Sequence, residues 1–235
     1  MIASQMNIPM TDFGALDNPI WFALTTVHQP LARSNGLARR YPSEVSAMAG
    51  LREPTPEAFS DLRGLVGPEE RVGLFTAKPL ELPRDWQIIW ARPLEQMICT
   101  ELAPSPMVPL LALQQADVPE MLALTAATEP GPFLPQTIRM GSYFGIRSSD
   151  GRLIAMAGQR LRLDDFTEIS AVCTDPKFRG NGHARALIVS LAAQTLGEGR
   201  IPFLHVKAEN GAKALYEKIG FRVRRAIQLT VIAPL

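Results

Sequence analysis

The stretch that most constrains this chain runs from Glu168 to Ala184, Glu-Ile-Ser-Ala-Val-Cys-Thr-Asp-Pro-Lys-Phe-Arg-Gly-Asn-Gly-His-Ala. Its first half is β-branched and apolar, the composition of a buried strand, and Asp175-Pro176 stops that strand with turn chemistry. After Gly182 the apolar residues Ala184, Leu187, Ile188 and Leu191 keep helical spacing, so the glycines stand where a helix begins. The first N–H groups of a helix have no internal partner and carry the positive end of its dipole, and glycine lets an anion come close to the backbone. Strand, turn and helix together form a phosphate cradle.

Cradles of this kind differ in where their glycines fall. A Walker loop closes on Gly-Lys-Ser/Thr, whereas His183 follows Gly182 here. A dinucleotide fingerprint puts its first glycine directly after the strand and a Gly or Ala in the sixth place; here Asp175 to Arg179 intervene and Arg185 holds that place. The pattern Arg/Gln-x-x-Gly-x-Gly/Ala is met at every fixed position by Arg179, Gly182 and Ala184. Further on, Pro202-Phe-Leu-His-Val-Lys207 reads as a second strand, followed by Asn210-Gly-Ala-Lys-Ala-Leu-Tyr-Glu-Lys-Ile-Gly-Phe221. In this order the two stretches resemble the coenzyme A pyrophosphate loop and the Asn…Ala…Leu-Tyr-Glu…Gly-Phe signature of the GNAT N-acetyltransferase superfamily.

The resemblance covers about half the chain and implies an α/β (α+β) fold with a mixed, mostly antiparallel twisted sheet flanked by helices. The order of elements agrees with it. Asp117-Val-Pro-Glu120 reads as a capping box opening a helix to about Ala127. Tyr143 to Arg147 and Leu153 to Arg160 flank Asp150-Gly151 as a hairpin, and the Glu168 strand, cradle helix, second strand, Asn210-capped helix and two short strands follow. Ala103-Pro-Ser-Pro-Met-Val-Pro109 is the best linker, dividing an N-terminal α/β subdomain, residues 1–103, from a GNAT domain, residues 104–235.

In the N-terminal part, a helix over 18–32, short strands over 36–41 and 45–51, a helix over 57–66 and strands over 71–77, 86–89 and 94–100 are expected. Helix then strand, followed by two strands, loosely echoes the C-terminal order. The first hundred residues are thus either a degenerate partial GNAT unit or an unrelated subdomain, and they lack the cradle pattern.

At 235 residues, with 46% hydrophobic and 20% charged residues, the chain can bury a sizeable core. A net charge of +1 without a long basic run argues against nucleic acid, and no stretch has the length of a membrane span. The two cysteines are too few for a disulfide framework, and no His/Cys cluster has metal-ligand spacing. The expected compartment is the cytoplasm, with no metal.

The resemblance implies acetyl-CoA as cosubstrate and direct acetyl transfer to the primary amine of a small molecule or peptide. Arg179, Gly180, Asn181, Gly182, His183 and Ala184 would hold the pyrophosphate, and Asn210 would add a contact. The main chain of Val172, Cys173 and Thr174 would pair with the pantetheine arm, with an N–H near Val172 facing the oxyanion. Tyr216 lies on the apolar stripe of its helix, where a tyrosine is ordinarily core; the resemblance makes it the acid that protonates the departing thiolate.

Glu168, opening its strand, is either the general base or a solvated strand-end carboxylate. Cys173 is either a small core residue or, less economically, an acyl carrier. Glu168 and Glu129, with no evident anion-binding arginine beyond the cradle, favour a cationic amine, an amino-acid amine or a peptide N-terminus over an acidic acceptor. The rival function is a non-catalytic regulator that binds coenzyme A.

Overall fold

The computed structural model describes residues 12–105, 110–208 and 211–235. From the N-terminus the chain forms α1 (Pro19–Thr25), β1 (Arg33–Asn35), β2 (Ala38–Arg40), β3 (Ala49–Leu51), α2 (Pro56–Arg63), β4 (Val72–Thr76) and β5 (Trp86–Ile98). There follow β6 (Leu111–Leu113), α3 (Val118–Thr128), β7 (Tyr143–Arg147), β8 (Leu153–Arg162), β9 (Phe166–Thr174), α4 (His183–Gly197), β10 (Ile201–Val206), α5 (Lys213–Ile219) and β11 (Arg222–Pro234). Strands β1 to β3 make a small antiparallel sheet.

The other eight strands form one sheet in the order β4-β11-β5-β10-β9-β8-β7-β6. Only β9 and β10 run parallel in it, so the sheet is mixed and mostly antiparallel. Strands from before and after residue 103 alternate: β11 lies between β4 and β5, and β5 lies between β11 and β10. A helix precedes β4 and another precedes β10, so each half lends its long strand to the other in the same way.

That exchange explains why the expected pair of short strands at 86–89 and 94–100, and the two expected after the Asn210-capped helix, are each one thirteen-residue strand. Pro93 suggests a break, but it lies below the last β10 partner, where one side of β5 carries no ladder and proline is tolerated. The helix expected over 18–32 is cut at Thr25. The hydroxyls of Thr25 and Thr26 bond back to the carbonyls of Trp21 and Phe22, and a 3₁₀ turn at Gln29–Leu31 follows.

The expected capping box also shifts by one turn. Gln114 and Asp117 cap each other, while Asp117 and Glu120 both pair with Arg147 on β7 at 2.6 and 2.5 Å. Of the proposed linker, residues 106–109 lie outside the described residues.

Apolar clusters cover both faces of the sheet. Against one face α4 and α5 bury Leu187, Ile188, Leu191, Tyr216 and Ile219 on Ile169, Leu204 and Val206. On the other face α1 buries Ile20 and Leu24 with Phe75, Leu94, Phe166 and Phe203, and α3 packs Met121 and Leu124 on Met156 and Cys173. Gly50 lets α1 sit flush on β3, because a Cβ there would meet the Trp21 backbone nitrogen at 2.5 Å.

Candidate active site

Strands β9 and β10 are partners only at Phe166/Ile201, Thr167/Pro202 and Glu168/Phe203. From Ile169 onward they separate, and among the described residues no strand pairs with the edge of β9 that faces β10. The separation coincides with an irregularity in β9: Ala171 has φ +53, and the register with β8 slips between the Cys173 and Ser170 partners. Such a bulge twists a strand away from its neighbour and re-aims its peptide groups. The result is a cleft of about 580 Å³, within the usual size of a ligand site. Val172, Cys173, Thr174, Arg179, Ala184 and Tyr216 all line it.

The cradle lies at the end of β9 that opens onto this cleft. Asp175 accepts the Lys177 N–H at 2.9 Å and fixes a short 3₁₀ turn, and the chain then doubles back through Gly180 and Gly182 at φ +81 and +78. Among the described residues nothing beyond the chain neighbours lies within 4 Å of where a Cβ would stand at either glycine. Gly182 is the N-cap of the 15-residue α4 and supplies no capping side chain, so the first N–H groups, from His183 and Ala184, remain for a ligand.

An open, left-handed, glycine-lined turn at a helix N-terminus fits a pyrophosphate. Arg179 folds back to the Thr174 carbonyl at 3.3 Å, and the Asn181 amide donates to the Phe178 carbonyl at 3.1 Å, so both brace the turn. Asn210 lies outside the described residues.

Tyr216 points from α5 into the cleft, 9% exposed, with its ring edge-on to Phe221. Burial pushes its phenol up to about 12, so the proton stays on across the neutral range. Cys173 is buried and its thiol is likewise raised to about 11, mainly by burial, which leaves it protonated and unsuited to carrying an acyl group.

Glu168 is neither solvated nor free. It is 1% exposed, takes two hydrogen bonds from the Arg160 guanidinium at 2.7 and 2.5 Å, and lies 2.8 Å from His205 Nδ1. Burial alone would raise its carboxyl, but Arg160 and then His205 outweigh burial and hold it at about 2.

The partners continue across the sheet. Gln96 Oε1 accepts from Arg224 at 2.8 Å, which turns its amide nitrogen toward the Leu16 carbonyl at 2.8 Å and His205 Nε2 at 3.1 Å. His205 Nε2 therefore accepts, and the ring proton sits on Nδ1 facing Glu168. Arg224, Gln96, His205, Glu168 and Arg160 come from β11, β5, β10, β9 and β8, five neighbouring strands. Phe75 of β4 lies on the His205 ring at 4.4 Å between centroids and near Arg160, closing this side. Nothing in the sequence signals this row, because residues joined by strand pairing share no spacing.

Among the described residues no group of three or more His, Cys, Asp or Glu could hold a metal, and no helix is long and apolar enough to cross a membrane.

A family profile described as FR47-like protein matches residues 143–229. A search of curated proteins finds no match. Among solved structures, one from Novosphingobium aromaticivorans, assigned to the GNAT family as an acetyltransferase, is 39% identical over 94% of this chain and 98% of its own, with a TM-score of 0.86. A GCN5-related N-acetyltransferase from Kribbella flavida, 18% identical over 89% of this chain and 95% of its own, has a TM-score of 0.57 and shares the fold. A GCN5-related N-acetyltransferase-like protein from Streptococcus suis, 14% identical over 91% and 92%, also scores 0.57. With its splayed strands, glycine cradle and 39% identity over nearly the whole chain, this protein belongs to the GNAT family and is an acyltransferase.

Proposed function

We propose that the chain uses acetyl-CoA to acetylate the primary amine of a small molecule or peptide. The observation that supports this best is the pair of open Cβ positions at Gly180 and Gly182, at the N-terminus of α4 and the mouth of the cleft that Tyr216 lines. Gly180, Gly182, His183 and Ala184 would hold the pyrophosphate through their N–H groups, with Arg179, Asn181 and Asn210 supporting it. The free edge of Val172, Cys173 and Thr174 would take the pantetheine arm as an added strand. When bound, the thioester supplies the activated acetyl group.

An N–H beside the bulge near Val172 serves as the oxyanion donor, a contribution of about a hundred- to a thousand-fold in rate. Tyr216, kept protonated by burial, holds the proton needed by the leaving sulfur. Glu168 we assign to positioning rather than to proton abstraction, since a carboxyl held at about 2 with Arg160 and His205 on its oxygens is a weak base. Thiol release over a panel of amines tests this reading. Tyr216→Phe keeps the ring and removes the acid, and turnover should fall about a hundred- to ten-thousand-fold with acetyl-CoA affinity unchanged. Full activity in that variant would return Tyr216 to the core.

We further propose residues 1–103 and 104–235 as two units by ancestry, the first a reduced relative of the second. The reciprocal exchange of β5 and β11 supports it.

A further inference from the structure

The acceptor end of the cleft carries charges that the reading above leaves without a task. It lies on the sheet face opposite α4, where Phe75 and Leu94 are buried. Trp90, Arg92 and Leu94 line it from β5 on one face of the strand, with Phe75 and Leu229 beside them by strand pairing and Glu129 and Pro130 in the same lining. The cations here do not share one role. Arg160 is neutralised by Glu168 at 2.5 Å. Arg179 belongs to the cradle, and Lys207, which among the described residues also joins no ion pair, follows the end of β10 as a point charge with no ring against it.

Arg92 remains. Its guanidinium lies 4.6 Å from the centroid of the Trp90 ring and, among the described residues, joins no ion pair and donates no hydrogen bond. A guanidinium held over an indole face keeps its fork of donors free, and such a fork takes a carboxylate through two parallel bonds. Glu129, held at φ +47 at the end of α3, is the carboxylate that lines the same end. Leu229 is the cross-strand partner of both Arg92 and Phe75, and with Trp90 and Leu94 these side chains form an apolar wall beside Arg92.

Resting on the proposed acyl transfer, the geometry points to an amino acid with an apolar side chain and a free carboxylate as the acceptor, with Arg92 as the residue that selects it. Glu129 attracts the ammonium, Arg92 takes the carboxylate and the apolar wall takes the side chain. An amine without a carboxylate leaves the Arg92 fork unpaired, and an acidic side chain would meet the apolar wall. This refines the expectation of a cationic acceptor, which counted Glu168 as an uncompensated charge and did not place Arg92.

The test is calorimetric titration of the protein, with coenzyme A present, by L-leucine and L-phenylalanine, their amides, and the matching amines 3-methylbutylamine and phenethylamine. Wild type should bind at least one amino acid about ten- to a hundredfold more tightly than its amide or its amine. Arg92→Gln should abolish that preference, and Arg92→Lys, which keeps the charge but not the fork, should restore part of it. Absence of amino-acid binding, equal binding of all three forms, or a preference surviving in Arg92→Gln would each overturn the inference. Thiol release from acetyl-CoA, followed separately, keeps the two readings apart. Selective binding without any transfer strikes the proposed acetylation and leaves the Arg92 site standing; transfer to amines without selectivity does the reverse.

Discussion

Glu168 and His28 set how this protein responds to acid. Glu168 sits at about 2 in the folded state against about 4.5 for an ordinary glutamate. The stability it contributes is present above about 4.5 and is lost as pH falls from there through about 2. His28 is buried between Tyr41 and the Met140 carbonyl, at 2.8 Å from each. Burial chiefly, against the Met140 bond and together with the charge of Arg162, lowers it from 6.5 to about 4, so its contribution is present above 6.5 and fades toward pH 4.

Urea midpoints measured down the pH scale should therefore fall first between about 6.5 and 4 and again below about 4.5. Glu168→Gln should shrink the second fall, to which Glu70, held down by Arg40, also contributes, and, by leaving the Arg160 guanidinium buried without a counter-charge, should cost about 3–5 kcal/mol at neutral pH. A variant as stable as wild type would show that the pair contributes little. At this scale the sequence reveals what is local. The cradle and Tyr216 can be read because their neighbours in space are neighbours along the chain. Glu168 can be picked out as a position, but its condition depends on Arg160, His205 and Gln96, which only strand pairing assembles.

The central element is β5. Its Glu95 to Ile98 partner Val206 to Phe203 of β10 on one side, and its whole length runs against β11 on the other. It also carries Gln96, which fixes the His205 ring, and Arg92 of the cleft lining. Residues 104–235 expressed alone would leave the facing edges of β10 and β11 without their partner, and open apolar strand edges associate. That fragment should be aggregated or partly unfolded, with weak amide protection in β10, and adding a 12–103 fragment should restore it. A monomeric fragment with native dispersion in its amide spectrum would contradict this role for β5. The elements from α3 to α5 are legible because each has its own period, cap or turn. The long strands are not, because Pro93 and the stretch between Arg224 and Leu229 look like breaks until the partner strands are in place.

Across the whole molecule, the two halves divide the work by face. The C-terminal half supplies the splayed strands, the cradle and Tyr216, and the N-terminal half closes the opposite face with Phe75, Trp90, Arg92 and Leu94. Sequence patterns reach the first of these because a bound anion demands glycine and a helix start in a fixed order. The acceptor wall obeys no such demand; it needs only shape and a few charges, which many sequences supply. The central claim is that the gap between β9 and β10, with the cradle at its mouth, is the coenzyme A site. Calorimetric titration of acetyl-CoA into wild type and Gly182→Glu tests it most directly, since the new carboxylate would stand in the open space of the cradle. Saturable one-to-one binding by wild type and its loss in a Gly182→Glu protein that keeps its far-ultraviolet dichroism is the predicted result, and equal affinity in the two would contradict the account.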